Sequence, residues 1–327
     1  MTATVVIPIY NDWVSLRQLL RNLDRTLASH WELHIVVIDD ASTEPRPGDL
    51  LDEDFAAICS VTCLRLKCNL GHQRAIATAL AWIGSTENTT PVVIMDGDGE
   101  DRPSDVPRLL DRFVELDGKM AVFAERTKRS ESFTFKQFYR LYRWAHRVMI
   151  GFPVKIGNFS VLPPESLEGL IVSNYLWYHY AATVVRTRTP FTMLKTSRGN
   201  RYAGTSKMNY VSLVRHGISA IAVHAEVLSV RLLIGSFIIT CAGILALCVM
   251  AWIRFETPLA IPGWATTVTG LIAILLVQIL SVAFTFAMQS IAIHGNTGLI
   301  PVRDCPLFLR SAEQLMVKAE TRLEAIR

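Results

Sequence analysis

Over the first 125 residues, short apolar runs alternate with amphipathic segments. The run TVVIPIY (residues 4–10) is rich in β-branched residues and reads as a strand. A helix is predicted from about Asp12, because Trp13, Leu16, Leu19, Leu20 and Leu23 recur at helical spacing on one face. LHIVVIDD (33–40) and SVTCLRLK (60–67) are further strands, and GHQRAIATALAWIG (71–84) is a helix. PVVIMDGDGED (91–101) reads as a strand running into a turn, followed by a helix from about Ser104 and a strand KMAVFAE (119–125). Strand–helix alternation at this spacing predicts an α/β fold, a mostly parallel sheet with helices on both faces. In such sheets ligands bind beyond the carboxyl ends of the strands. Asp39-Asp40 and the acidic stretch from Asp96 to Asp101 fall at those ends.

The pattern changes after residue 126. Residues 133–151, FTFKQFYRLYRWAHRVMIG, place Phe135, Phe138, Leu141, Tyr142, Ala145 and Met149 on one helical face, with Lys136, Arg140, Arg143 and Arg147 interleaved. An aromatic and basic amphipathic helix suits a membrane surface, and packing on the sheet accounts for it equally well. Residues 208–227 form a second amphipathic stretch. Leu232 to Ile253 then gives 22 residues without a charge, and Trp264 to Ile293 is uncharged, interrupted among strongly polar residues by Gln278 and Gln289 alone. About 20 apolar residues span a bilayer core, so both are predicted transmembrane helices. The end of the chain, from about Ser311 to Arg327, is expected to be a short surface helix.

These readings divide the chain into an α/β domain over 1–230, with interface helices near 133–150 and 208–227, a two-helix hairpin over 231–294, and a tail over 295–327. MTATVVIPIY lacks a basic leader and enters a strand at once, so the first ~230 residues are expected on the side where they are made. Arg215 and Arg231 precede the hairpin and Arg303, Arg310 and Lys318 follow it, whereas the connecting loop holds Arg254 alone. Basic residues favour the cytoplasmic side. The expectation is a multi-pass inner-membrane protein with both termini and the 1–230 domain cytoplasmic.

Composition adds to this picture. Half of the residues are hydrophobic, with 33 Lys and Arg against 29 Asp and Glu, and the mean hydropathy of +0.30 comes largely from the two apolar stretches. A net charge of +4 without a basic run gives no argument for nucleic acid. Six cysteines suit a reducing compartment. Cys59, Cys63 and Cys68 are close in sequence but lack a fourth ligand at zinc spacing unless His72 joins them, so they read as ordinary thiols.

The chemistry concentrates in VVIMDGDGEDRP. Asp96 and Asp98 stand two residues apart just past a buried strand, with Glu100 and Asp101 next, and their mutual repulsion is tolerable when a hard divalent cation and its phosphate ligand neutralise them. Gly97 and Gly99 let backbone approach a bound group closely. In IVVIDDAST, the carboxylates at the strand end followed by Ser42-Thr43 suit hydrogen bonding to a base or ribose, or simply a cap and turn.

The order VVIPIYND, VVIDDAST, NLGHQRAIATAL, VVIMDGDGEDRP resembles the family 2 glycosyltransferases of the GT-A fold. ERTKRSESFTFKQFYRLYRW looks like that family's Arg-rich segment, and RYAGTSKM is similar to its Arg-x-x-Gly-x-Ser-Lys motif. With two C-terminal transmembrane helices, the outline over roughly residues 4–293 resembles the polyprenyl-phosphate glycosyltransferases. The resemblance implies a Rossmann-like, mixed but mostly parallel sheet, a nucleotide-sugar donor and a polyprenyl phosphate acceptor at a lipid bilayer. It implies nucleotide-sugar binding by Pro8, Tyr10, Asp12, Asp39, Asp40, Gly71 and Asp96, and Mg²⁺ or Mn²⁺ held by Asp96, Asp98 and Glu100. Acceptor phosphate would be held by Arg126, Arg129, Arg201, Ser206 and Lys207, where guanidinium forks suit phosphate. Asp96, Asp98 and Arg126 are the expected catalytic residues. The implied reaction is a single inverting displacement in which a lipid phosphate oxygen attacks the anomeric carbon, and an ionised phosphate needs little help from a base.

Three features depart from the pattern. Gly157-Asn158-Phe159-Ser160 stands where the family reads Gly-Asp-Phe-Arg, so position 158 cannot accept a proton. The end IHGNTGLIPVRDCPLFL lacks the usual Gly-Glu-Tyr, and NYLWYHYAATVVRTRTP fits the family poorly, which makes it a candidate for specificity. Transfer to another lipid or to a cell-surface polysaccharide, and a non-catalytic nucleotide-sugar-binding membrane subunit, are the competing readings. The sequence leaves open a homo-oligomer formed through the transmembrane helices.

Overall fold

The computed structural model describes residues 1–28, 30–86, 89–126, 156–203, 218–257, 263–295 and 298–318. They fall into two compact units, the first comprising residues 1–138, 154–223 and 299–327, the second 139–153 and 224–298.

The first unit is built on eight strands: β1 (Thr2–Ile9), β2 (Glu32–Asp39), β3 (Ile58–Leu66), β4 (Val92–Ile94), β5 (Ala121–Arg126), β6 (Ser160–Leu162), β7 (Phe191–Thr196) and β8 (Leu309–Val317). They form one sheet in the order β7-β5-β6-β4-β1-β2-β3-β8. β1 pairs in parallel with β2 and β4, β2 with β3, and β5 with β7. β6 runs antiparallel to β4 and β5, and β8 antiparallel to β3. The chain steps outward from β1 to β3 and then returns to the other side of β1 as β4. That reversal opens a crevice at the carboxyl ends of β1 and β4, where ligands of open α/β sheets bind.

Alternation along the strands splits the core in two. Val5 and Ile7 of β1 and Leu33, Ile35 and Val37 of β2 face one layer with helices α1 (Trp13–Leu27) and α3 (Val106–Glu115). Val6, Val36 and Ile38 face the other, with α2 (His72–Gly84), α4 (Pro164–Ile171) and α5 (Tyr180–Arg186). α1 begins where the sequence expects. The Asp12 carbonyl accepts from Leu16 N at 3.1 Å, and the helix buries Trp13, Leu16, Leu19, Leu20 and Leu23. Burying one such leucine is worth roughly 1.5–3 kcal/mol. α2 is buried along most of its girth through Ala75, Ile76, Ala77, Ala79, Leu80 and Ala81, and its small residues let it lie close against neighbours on more than one side.

The tail corrects the sequence expectation. Residues 309–317 are β8, a sheet strand rather than a surface helix, and α8 (Pro301–Phe308) leads into it. Cys305 Sγ contacts the Thr78 carbonyl at 3.2 Å, seating α8 on α2. SAEQLMV is made of good helix formers, but β3 without β8 would be an edge strand with unpaired backbone groups, and that demand outweighs local propensity. The strand over 91–101 is also shorter than expected, with three residues in the ladder.

The second unit contains α6 (Ala225–Glu256) and α7 (Trp264–Gly295). At 1.5 Å per residue each 32-residue helix is about 48 Å long. Both are long and apolar enough to cross a membrane, and 6% and 11% of their most apolar windows are buried. Phe237, Ile238, Leu245, Trp252, Leu271, Val277 and Phe284 are exposed, unlike the side chains of a soluble core helix. Gly243 admits Leu276 of the neighbouring helix, since a Cβ there would lie 2.8 Å from its Cδ1. The predicted helix over 133–150 and the first part of that over 208–227 lie outside the described residues.

Candidate active site

The acidic turn sits directly on the end of β1. A Cβ at Gly97 would come within 3.1 Å of Ile9, 3.2 Å of Ile7 and 3.3 Å of the Pro8 carbonyl. Gly97 therefore lets the turn run flat across the first strand. Gly99 has φ of +90°, and a Cβ there would meet the Tyr202 ring at 2.6 Å, so glycine is needed both for backbone and for space. Asp101 braces the turn by accepting from Asp96 N at 2.9 Å. Asp98 Oδ1 accepts from Glu100 N at 2.9 Å.

Each carboxylate expected to hold a cation faces a basic group. His72 Nε2 is 3.2 Å from Asp96 Oδ1, Arg201 Nη2 is 2.8 Å from Asp98 Oδ2, and Arg198 Nη2 is 2.5 Å from Glu100 Oε2. Burial pushes the Asp98 pKa up, with Asp96 and Glu100 adding to it, while the Glu100 amide and Arg201 oppose. For His72, burial works against the charged ring, but Asp96, Asp101 and Asp98 outweigh it and the pKa is raised. Among the described residues no three His, Cys, Asp or Glu side chains form a ready-made metal cage. The oxygen donors still fit Mg²⁺ or Mn²⁺ bridged to a diphosphate, since such ions use one or two carboxylates with substrate phosphates and water.

The expected nucleotide side is held by a second set of bonds. Asp40 is buried; its Oδ1 accepts from Leu70 N at 2.6 Å and its Oδ2 from Gly71 N at 2.9 Å. Gly71, at φ of +90°, then starts α2. Asp39 accepts from Ser42 N at 2.8 Å and faces Arg65 of β3 at 3.6 Å. Asn11, with φ of +51°, clips the end of β1 to the loop after β2: its Oδ1 accepts from Thr43 N at 2.8 Å and Glu44 N at 3.0 Å. Tyr10 beside it is 39% exposed. Asp12 caps α1 through its carbonyl, with no side-chain capping bond.

The structure thus brings Asp96, Asp98, Glu100 and Arg201 together over Pro8, and ties Asp40 to Gly71. Asp39 is turned toward β3. Arg126 ends β5, in register with Thr196 of β7. Arg129, Ser206 and Lys207 lie outside the described residues, as does the Arg126 side chain.

The family departures form one connected unit. Tyr180 N donates to Gln73 Oε1 at 2.7 Å, Gln73 Nε2 to Asn158 Oδ1 at 3.1 Å, and Asn158 Nδ2 lies 2.9 Å from His72 Nε2. Ser160 is fully buried, and the Tyr180 hydroxyl meets its Oγ at 2.7 Å. The stretch that fits the family poorly therefore supplies the ring packed against Ser160, where the family has arginine. Sequence reasoning missed Gln73, Arg198, Tyr202 and the site role of His72. His72 and Gln73 stood inside one motif, but Asp96 and Asn158, which face His72, and Tyr180, which Gln73 binds, stand in other segments of the chain. Cys59 and Cys63 are buried and Cys68 is exposed. Burial pushes the Cys63 thiol up to about 11, so it is held as the inert thiol.

A mixed, mostly parallel sheet with an acidic turn at its switch point is the architecture of the GT-A class of α/β domains. Residues 4–164 match the family model described as Glycosyl transferase family 2, and this part of the chain is a family 2 glycosyltransferase domain. An undecaprenyl-phosphate 4-deoxy-4-formamido-L-arabinose transferase of Pseudomonas paraeruginosa is 34% identical over 116 residues, 34% of this chain and 32% of that protein. The enzyme of the same name from Klebsiella pneumoniae is 30% identical over 132 residues, 39% of this chain and 38% of that one. The chain therefore spans about a third of the length of these curated relatives. Among solved structures, glucosyl-3-phosphoglycerate synthase from Mycobacterium tuberculosis, with Mn²⁺, UDP-glucose and phosphoglyceric acid, is 16% identical over 68% of this chain and 78% of its own, at a TM-score of 0.48. A mannosyltransferase from Pyrobaculum calidifontis, with GDP-Man and Mn²⁺, is 16% identical over 93% of this chain and 78% of its own, at 0.42.

Proposed function

We propose that this chain is a membrane-bound glycosyltransferase that moves a hexose from a UDP- or GDP-linked donor to a polyprenyl phosphate, with inversion at the anomeric carbon. The observation that carries the reading is the turn over 96–100 at the carboxyl end of β4, three carboxylates faced by three basic side chains. The names of the matched relatives, which act on undecaprenyl phosphate, and the two apolar helices support the acceptor class.

Asp96, Asp98 and Glu100 would hold the divalent cation. Bound there, Mg²⁺ or Mn²⁺ would neutralise charge on the departing diphosphate. Asp39, Asp40, Gly71, Pro8, Tyr10 and Asp12 shape the donor side, and Asp40 fixes the loop before α2. Arg126, Arg129, Arg201, Ser206 and Lys207 would supply positive charge and donors for the acceptor phosphate, keeping its attacking oxygen near the sugar. As the new bond to the anomeric carbon forms, the bond to the diphosphate breaks and its electrons stay on the leaving oxygen. In this reading the catalytic domain and both termini are cytoplasmic, with α6 and α7 as the anchor.

The test is the full chain, purified in lipid and given nucleotide-sugars, Mn²⁺ and undecaprenyl phosphate. A metal-dependent sugar-lipid is expected, and Asp98→Asn should lower its rate by about a hundredfold or more. If no common donor yields sugar-lipid, with wild type and Asp98→Asn indistinguishable, the proposal fails.

A further inference from the structure

Residues 197–203 lie across the acidic turn and are stitched to it by backbone. Gly199 N donates to the Glu100 carbonyl at 2.7 Å, and Tyr202 N to the Asp98 carbonyl at 3.0 Å. The Tyr202 ring sits over Gly99, and its hydroxyl accepts from Asn22 Nδ2 of α1 at 3.0 Å. Two long side chains leave this fixed loop, Arg198 to Glu100 and Arg201 to Asp98. These side chains are 36% and 24% exposed, and Arg201 Nε is buried with no hydrogen-bond partner among the described residues, so a guanidinium donor beside Asp98 is left unused in this arrangement.

We infer that Arg198 and Arg201 are a displaceable latch: they hold Glu100 and Asp98 until a divalent cation takes those carboxylates, and then turn to phosphate. This rests on the reading of the acidic turn as a cation site. The charge arithmetic favours the exchange. Two guanidinium charges balance two carboxylates, and one divalent cation replaces them without leaving a part-buried carboxylate uncompensated. The two freed forks then face the diphosphate and acceptor phosphate that arrive with the cation, groups they bind bidentately. The latch imposes an order in which cation with donor precedes acceptor phosphate, since the arginines are occupied until then. It also adds Arg198 to the phosphate-binding set.

The experiment is titration of the full-length protein in lipid with Mn²⁺, read as free Mn²⁺ by electron paramagnetic resonance, with and without UDP and GDP. Arg198→Gln and Arg201→Gln are each expected to bind Mn²⁺ alone about five-fold tighter than wild type, by removal of a competing, partly screened ion pair. With nucleoside diphosphate present, both should bind the Mn²⁺ complex more weakly than wild type. Arg102→Gln is the control: Arg102 lies beside the same turn and pairs with none of the three carboxylates among the described residues, so its affinity should stay within about two-fold. Unchanged or weaker Mn²⁺ affinity in the two variants, or equal tightening in Arg102→Gln, would overturn the latch and leave the cation site standing. Absence of Mn²⁺ binding in wild type and variants alike, with either nucleotide, would overturn the cation reading and the latch with it.

Discussion

Both carboxylate oxygens of Asp40 are taken by amides at the start of α2. Asp40→Asn would turn one acceptor into an NH₂ group facing an N–H, and a buried unsatisfied donor costs about 1–3 kcal/mol. Urea denaturation should show a loss of that size, and a loss near zero would mean the brace is dispensable. His34 sits half-buried between strands, its Nδ1 2.7 Å from Ser60 Oγ. Burial lowers its pKa below the ordinary 6.5, with Glu32 opposing. The unfolded chain therefore binds this proton at higher pH than the folded one, and stability falls as pH drops from 6.5 through the folded value. His34→Gln should flatten that part of the stability–pH curve. An unaltered curve between pH 7 and 5 would show that His34 carries none of it.

At the level of elements, β8 has the most to reveal. It covers the outer edge of β3 from Leu66 back to Ser60, although its sequence favours a helix. Truncation after Phe308 should lower stability by at least about 2 kcal/mol, roughly 4–8 °C in Tm for a domain of this size, and expose an edge that self-associates. Calorimetry with size-exclusion chromatography would check it; a monomer with unchanged Tm would show that β8 is an accessory. α2 makes a complementary point. Its periodicity was legible, but its neighbours on several sides, including α8 from the far end of the chain, were not, because contacts over more than 200 residues leave no local pattern.

For the whole molecule, α6 and α7 expose apolar side chains around most of their girth. In water that surface would cost far more than a marginally stable domain can offset. The protein should stay with membranes through a carbonate wash and need detergent for extraction. Recovery in the aqueous fraction without detergent would defeat the membrane reading.

Local sequence determined the strands and helices of the first 125 residues, the two apolar helices, and the acidic turn with its glycines. Those features depend on periodicity, run length and backbone freedom within a few neighbouring residues. Tertiary structure decided which basic groups answer the carboxylates, that Tyr180 packs against Ser160 where an arginine was expected, and that the last described segment is a strand. Charge pairing and edge pairing are settled by whatever folding brings within a few ångströms, and here Arg198, Arg201 and β8 reach their partners from about 100 to 250 residues away.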